Sequence, residues 1–312
     1  MKPRILVVGS SNIDFVCTMP FVPQAGQTVI SQGSYAFVPG GKGANTAVCA
    51  ARLGADVVFC TRLGNDGYAS QLKDRYSKES IDTRFVKIDK TQNTGLAAIM
   101  VEQNGANRIV VYPGANQMLS TDDVEDAFTC YPDAFILQFE ILQETALFAC
   151  NQASKKDVKI FVDAGPASSD FPLESLPPLE VFSPNETETA IYTGILPNSS
   201  DNCLRASIAL SERVSAKYIV LKLGERGCFI YDGTHCHHIA PVEVPCVVDT
   251  TAAGDAFTAA LTHKYLETGG DILRACEYAN AVGAYVVTKK GAFSSLPSSK
   301  VLDEFLKEIR NQ

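Results

Sequence analysis

Short, almost wholly apolar runs recur along this chain, each followed by a stretch of helical periodicity. Residues 5–8, 57–60, 135–138, 160–163, 181–183 and 218–223 are the apolar runs, and 44–53, 68–78, 121–130 and 186–192 are the helical patterns. A strand that is apolar on both sides must be covered on both faces, and strands joined through helices run parallel. The pattern predicts an α/β fold: a mainly parallel sheet flanked by helices on both faces, with ligands bound at the carboxyl ends of its strands. Gly54 and Gly194 close the first and last of those helical patterns, where a left-handed residue is needed.

Two regions break the alternation. Residues 15–38 carry Phe15, Val16, Val29, Ile30, Tyr35, Phe37 and Val38 without helical period, and 94–112 hold two β-rich runs around Asn104-Gly105. Asn-Gly between such runs is a hairpin signal. With no helices between them, these strands are expected to form a small separate sheet. A further hairpin is predicted at Asp232-Gly233. No repeat or linker-like stretch appears, so residues 1–312 read as a single domain whose β appendage comes from about 12–40 and 94–112.

The chain carries 35 acidic against 27 basic residues, a formal net charge of −8, which opposes general nucleic-acid binding. Ten cysteines occur without a CxxC pair, and the apolar flanks of Cys49, Cys60 and Cys228 place them in a core. They read as reduced thiols of a cytoplasmic enzyme. The apolar run at residues 5–8 is too short for a signal peptide, and no stretch approaches the roughly 20 apolar residues of a membrane span.

Two segments carry chemistry. In the first, strand-like residues 244–248 lead into Asp249-Thr250-Thr251-Ala252-Ala253-Gly254-Asp255, followed by a helix with Phe257, Leu261 and Tyr265 on one face. Small residues at a helix start let backbone N–H groups approach an anion. Asp255, in the first turn, either complements the helix dipole or accepts a proton from an attacking hydroxyl. The second segment is Pro39-Gly40-Gly41-Lys42-Gly43-Ala44-Asn45, with Gly43 where a Walker loop has Ser or Thr. It reads as a loop gripping a polar ligand or as a tight strand–helix turn. His235 and His237 share a strand face, which in principle suits a metal, but a solvated hairpin edge is the preferred reading.

Together, Gly40-to-Gly54 and Asp249-to-Leu261 resemble the two signature segments of the ribokinase, or carbohydrate kinase, family. The start around Asn12 and Asp14, Gly114-Ala115-Asn116, Gln138-Phe139-Glu140, Pro184-Asn185-Glu186-Thr187-Glu188, Leu223-Gly224-Glu225-Arg226-Gly227 and Lys290-Gly291-Ala292 complete the ordered series. The resemblance covers nearly the whole chain. It implies a ribokinase-like fold whose β appendage is a lid, an ATP-dependent transfer of the γ-phosphoryl group to an alcohol, and a homodimer joined through the lid sheets.

By that resemblance, Asn12, Asp14, Gly40, Gly41, Lys42, Asn45 and Glu140 line a sugar site. Asp255 is the catalytic base, and the amides of Ala252, Ala253, Gly254 and Asp255 form an anion hole. Asn185, Lys222, Gly224, Gly227, Gly254 and Asn280 flank the nucleotide, and Glu188 holds Mg²⁺ through water. Asp249, Thr251, Val286, Lys289, Gly291 and Ser295 match the site of a K⁺ activator. Two positions depart from the pattern. Ala252 stands where many relatives have glycine, and Lys222 where many have a neutral residue, so Lys222 either reaches a phosphate or points outward.

The form of the Gly40–Asn45 loop, Asn12, Asp14, Asn116 and Glu140 most resemble ribokinases proper, which implies the 5-hydroxyl of D-ribose as acceptor. A kinase for another sugar or a nucleoside is the alternative, with Tyr35, Phe37 and Tyr112 as a wall for a base. A catalytically silent sugar- or nucleotide-binding protein is the reading from another class.

Overall fold

The computed structural model describes residues 2–103 and 106–310, so the expected Asn104-Gly105 turn lies outside the described residues. The strands are β1 (Arg4–Val8), β2 (Asn12–Met19), β3 (Tyr35–Gly40), β4 (Asp56–Leu63), β5 (Val86–Ile88), β6 (Gly95–Glu102), β7 (Asn107–Tyr112), β8 (Ala134–Leu137), β9 (Lys159–Asp163), β10 (Leu179–Ser183), β11 (Ala216–Lys222), β12 (Cys228–Tyr231) and β13 (Cys236–Ile239). The α-helices are α1 (Lys42–Leu53), α2 (Gly67–Lys78), α3 (Thr121–Ala127), α4 (Gln143–Lys155), α5 (Glu186–Thr193), α6 (Ser200–Ser211), α7 (Ala253–Glu267), α8 (Ile272–Val287) and α9 (Ser299–Arg310).

Nine strands make one sheet in the order β13-β12-β11-β10-β9-β8-β1-β4-β5. The run from β11 to β5 is parallel, and the hairpin of β12 and β13 adds an antiparallel edge. Alternation within each apolar run explains why helices cover both faces. Ile5, Val7, Val57, Phe59 and Ile136 pack with residues of α1, α7 and α8, whereas Leu6, Val8, Val58, Phe135 and Leu137 pack with residues of α3, α4 and α6. Gly54 (φ 110°) and Gly194 (φ 72°) end α1 and α5 in the left-handed conformation that the sequence predicts.

The second sheet, β3-β2-β6-β7, draws its strands from the two regions that broke the alternation. Residues 20–34 lie outside any strand, with Ile30 almost fully exposed. The strand expected at 244–248 is also absent. Pro245 removes a ladder donor there, Val247 and Val248 are exposed, and the Val248 and Asp249 amides donate to Val287 O at the end of α8 instead. Cys49, Cys60 and Cys228 are buried as expected, and all ten cysteines are free thiols. The Asp232-Gly233 turn joins β12 to β13, where His235, His237 and His238 are exposed. Among the described residues, no helix is long and apolar enough to cross a membrane.

Candidate active site

The parallel strands β1, β8, β9, β10 and β11 end on one edge of the large sheet, and that edge collects polar residues from distant parts of the sequence. Glycines allow the close approach. A Cβ on Gly43 would lie 2.6 Å from the Gly9 carbonyl carbon, so only glycine lets α1 start against the β1–β2 crossing, where the Ala44 amide donates to Ser10 O (2.9 Å). Gly41, at φ 92°, turns the chain from β3 into α1.

Asp255 lies in the first turn of α7 and is 4% exposed. Asn45 Nδ2 donates to its Oδ2 (2.8 Å), and Lys42 Nζ stands 3.7 Å from its Oδ1. Burial, helped by Asp163 and Glu140, outweighs Lys42 and the Asn45 bond and leaves the carboxyl raised to about 6. Lys42 is itself raised, chiefly by Asp255. A carboxyl ionised near neutrality and still basic suits proton acceptance from an alcohol. Of the four amides expected at the anion hole, Ala253 N already donates to Thr250 O (3.2 Å), because the 250–253 turn closes on itself. Those of Ala252, Gly254 and Asp255 have no acceptor among the described residues. Ala252 itself sits at φ 63° as the N-cap.

Facing Asp255 is a second group of carboxylates. Glu140 Oε2 accepts from Ser10 Oγ (2.5 Å) and from the Lys42 amide (3.1 Å), which ties the end of β8 to the α1 start. Asp14 enters from β2, is buried, and accepts no hydrogen bond among the described residues. Burial, then Glu140 and Asp255, push it up to about 7. Gly40 makes room for it, since a Cβ there would lie 2.1 Å from Asp14 Oδ2. Asn12 Oδ1 accepts from Asn116 Nδ2 (2.7 Å), while Asn116 Oδ1 holds the Ser11 amide (2.9 Å). All seven residues expected at the sugar site therefore converge on one end of the sheet. Tyr35, Phe37 and Tyr112 do not join them. The register pairs Phe37 with Phe15 and Tyr112 with Leu96, so their side chains leave the small sheet on the face opposite Asn12 and Asp14, and Phe37 packs on Tyr68.

The strands beyond β8 furnish a further cluster. Asn185 and Glu188 form a reciprocal cap of α5: Glu188 N donates to Asn185 Oδ1 (2.8 Å) and Asn185 N to Glu188 Oε2 (2.7 Å). The other Glu188 oxygen faces Gly165, whose Cβ would lie 2.1 Å from it and 3.5 Å from Lys42 Nζ. Lys222 does not point outward. It is buried at the end of β11 with Nζ 2.7 Å from Asp163 Oδ1, and Thr258 Oγ1 of α7 donates to Asp163 Oδ2 (2.9 Å). Asp163 and Asn116 are polar residues that the sequence reading gave no site role. An acid closing an otherwise apolar strand was the available signal for the first. Gly224 (φ 55°) and Gly227 (φ 79°) bound the turn after β11, and Asn280 Nδ2 donates to Ala240 O (3.0 Å), pinning the chain after β13.

Asp249, Thr251 and Gly291 also meet. Asp249 Oδ1 accepts from the Thr251 amide (2.9 Å) and hydroxyl (2.6 Å), and Oδ2 from the Gly291 amide (2.8 Å). Burial works against this carboxylate, yet the bonds from Thr251 and Gly291 hold it below the usual range. Lys289 N donates to Val286 O, and Ser295 Oγ is buried and donates to Ala292 O, which brings the remaining expected residues to the same loop.

Known proteins resemble this chain in sequence and in fold. Residues 2–299 fit the pattern of the pfkB family carbohydrate kinases. The chain belongs to that family. A ribokinase of Haemophilus influenzae is 34% identical, over 98% of this chain and 99% of the relative, and a deoxyribokinase of Salmonella typhi is 31% identical, over 97% and 98%. The structure of Arabidopsis thaliana ribokinase complexed with ribose and ATP superposes with a TM-score of 0.88 at 29% identity, covering 98% of this chain and 99% of that one. This carbohydrate kinase is accordingly a phosphotransferase acting on an alcohol group, with the ribokinase-like α/β fold.

Proposed function

We propose that this kinase transfers the γ-phosphoryl group of ATP to the 5-hydroxyl of D-ribose, giving ribose 5-phosphate. The observation that carries the reading is the placement of Asp255: a buried carboxylate beside free main-chain donors at a helix start, held by Asn45 and Lys42. In the step, Asp255 takes the hydroxyl proton, the acceptor oxygen bonds to the γ-phosphorus, and the bond to the bridging oxygen of ADP breaks. The amides of Ala252, Gly254 and Asp255 and the dipole of α7 oppose the charge on the transferring group. Asp14 and Glu140 would accept sugar hydroxyls, while Lys42 and Asn45 donate. Asp14, unbonded and buried, is completed by such a donor.

Mg²⁺ accompanying ATP would supply charge that offsets the phosphates. The free oxygen of Glu188 fits a water-mediated contact with that ion, a hard oxygen donor at a site with Lys42 nearby. Asp249, Thr251, Gly291 and Ser295, with carbonyls of Val286 and Lys289, form the oxygen-only set that suits K⁺. Turnover is expected to rise in potassium-rich buffer relative to potassium-free buffer, and less in sodium; equal rates would remove that assignment.

One domain serves this chemistry, with the β3-β2-β6-β7 sheet as a lid that keeps water from the phosphoryl group. Apolar side chains left exposed on its site-side face, Ile109 and Val111, support a homodimer joined through the lids. Ten free thiols and the absence of a basic surface excess support a cytoplasmic enzyme without nucleic-acid partners.

An acceptor panel tests the reading. ADP release is measured with ribose, deoxyribose, other sugars and nucleosides. Ribose-dependent, saturable release that vanishes in Asp255→Asn is expected. Preference for a nucleoside would overturn the acceptor, and binding without turnover on every acceptor would overturn the kinase.

A further inference from the structure

Lys222 brings more hydrogen-bond donors into the protein than the protein uses. It is 8% exposed, and Asp163 Oδ1, at 2.7 Å, is the one acceptor of its ammonium among the described residues. An ammonium has three N–H donors, so two are left where water has little access. Buried donors without acceptors are costly, and a buried cation more so. The position of Nζ says what would complete them: it stands 3.5 Å from where a Cβ on Gly254 would lie, in the first turn of α7. That is beside the amides of Gly254 and Asp255, which also lack acceptors. Two elements, the end of β11 and the first turn of α7, thus aim unpaired donors at one spot.

Asp163 keeps the aim. One of its oxygens holds Lys222 and the other accepts from Thr258 Oγ1 (2.9 Å), so the carboxylate is fixed between β11 and α7. The other nearby cation, Lys42, is committed to Asp255 on the acceptor side. Asp14, Glu140, Asp163, Glu188 and Asp255 surround the cleft, so an incoming triphosphate would otherwise meet mainly negative charge.

We propose that Lys222 is the cation that receives the γ-phosphate of ATP, and that Asp163 is the positioning residue that, with Thr258, points it at the first turn of α7. The proposal rests on the kinase reading of the site. Through the transfer Lys222 stays protonated; its two spare N–H groups bond the γ-oxygens while the bond to the bridging oxygen of ADP breaks, the bond to the acceptor oxygen forms and the proton passes to Asp255. A fixed ammonium there stabilises the transferring group without reorganising.

The test compares a non-hydrolysable ATP analogue (AMP-PNP) with ADP, both with Mg²⁺ and without acceptor, by titration calorimetry. Removing both charges together, in the double variant Lys222→Met with Asp163→Asn, avoids a lone buried carboxylate; Lys222→Gln, which can still bond Asp163, is the second variant should the double one fail to fold. Either is expected to lose tenfold or more in AMP-PNP affinity and less than threefold in ADP affinity. In turnover, kcat falls at least tenfold with the acceptor KM within twofold. Asp163→Asn alone is expected to lower kcat with little change in ADP affinity. Equal loss for both nucleotides, or AMP-PNP affinity and kcat within threefold of the parent in a folded variant, overturns the proposal. Failure of the kinase reading looks different: the parent protein would show no turnover on any acceptor, while the affinity ratio would still report on Lys222.

Discussion

Asp14 and Asp255 are both buried acids at one cleft, and the difference in their surroundings separates their tasks. Asp255 has Asn45 and Lys42 to steady its charge, which burial nonetheless pushes up to about 6. The proposed base must be ionised, so kcat/KM is expected to climb with pH through about 6 and level off above it. Asp255→Asn should lower kcat by roughly 10²–10⁴ and remove that limb; a pH–rate profile with the limb intact in the variant would assign it elsewhere. Asp14 has no hydrogen-bond donor among the described residues and is pushed up to about 7. Its raised value means that its contribution to stability is present below the unfolded value near 4 and is lost as pH rises through about 7. Asp14→Asn should therefore make the ligand-free protein more stable at pH 8, on the order of 1–3 kcal/mol. That gain shrinks toward pH 4.5, and urea melts at the two pH values measure it. Ribose binding should be impaired in the same variant, because the amide cannot accept as a carboxylate does.

At the scale of elements, the start of α7 is the place where conformation and catalysis meet. Ala252 holds φ 63°, a left-handed conformation in which a side chain costs about 1 kcal/mol or more relative to glycine. Ala252→Gly is expected to raise stability by about 1 kcal/mol in chemical denaturation, with kcat within about threefold, since the amide proposed for the anion hole is kept. A loss of stability would mean that the methyl group packs rather than strains. Where β3 ends, the constraint has the opposite sign. A methyl group on Gly40 would lie 2.1 Å from Asp14 Oδ2, so Gly40→Ala should displace that carboxylate and raise the acceptor KM tenfold or more, while ADP affinity stays unchanged in calorimetry.

For the whole molecule, the arrangement of two sheets decides what is available for assembly. The nine-stranded sheet is covered on both faces by helices, but the second sheet has only four strands, and β7 is exposed along its length. Ile109 and Val111 are 54% and 50% exposed on the face that also carries Asp14. Side chains of that kind at an open sheet edge are expected to pair with a second copy. Replacing both by lysine should convert a dimer to a monomer in sedimentation and lower kcat/KM for the acceptor. A parent protein that sediments as a monomer would remove the lid from the interface.

Local pattern determined much of this molecule. Runs such as Ile5 to Val8, apolar on both sides, are compatible only with a strand between two helical layers, and Gly54 and Gly194 stop helices wherever those helices pack. The two glycine-containing loops and the first-turn Asp255 were equally legible, because backbone close approach and helix-start chemistry depend on neighbours in sequence. What the tertiary structure alone decided are encounters between strand ends far apart in the chain. Lys222 meets Asp163 and Gly254, Asn45 meets Asp255, and the Val248 and Asp249 amides bond the end of α8 where a strand was expected. The facing of Tyr35, Phe37 and Tyr112 away from Asp14 belongs with them, since strand register, set by pairing with other strands, chooses the side on which a residue emerges. Such encounters bring charges together in a poorly solvated place, and neither their distances nor their burial is written in local sequence.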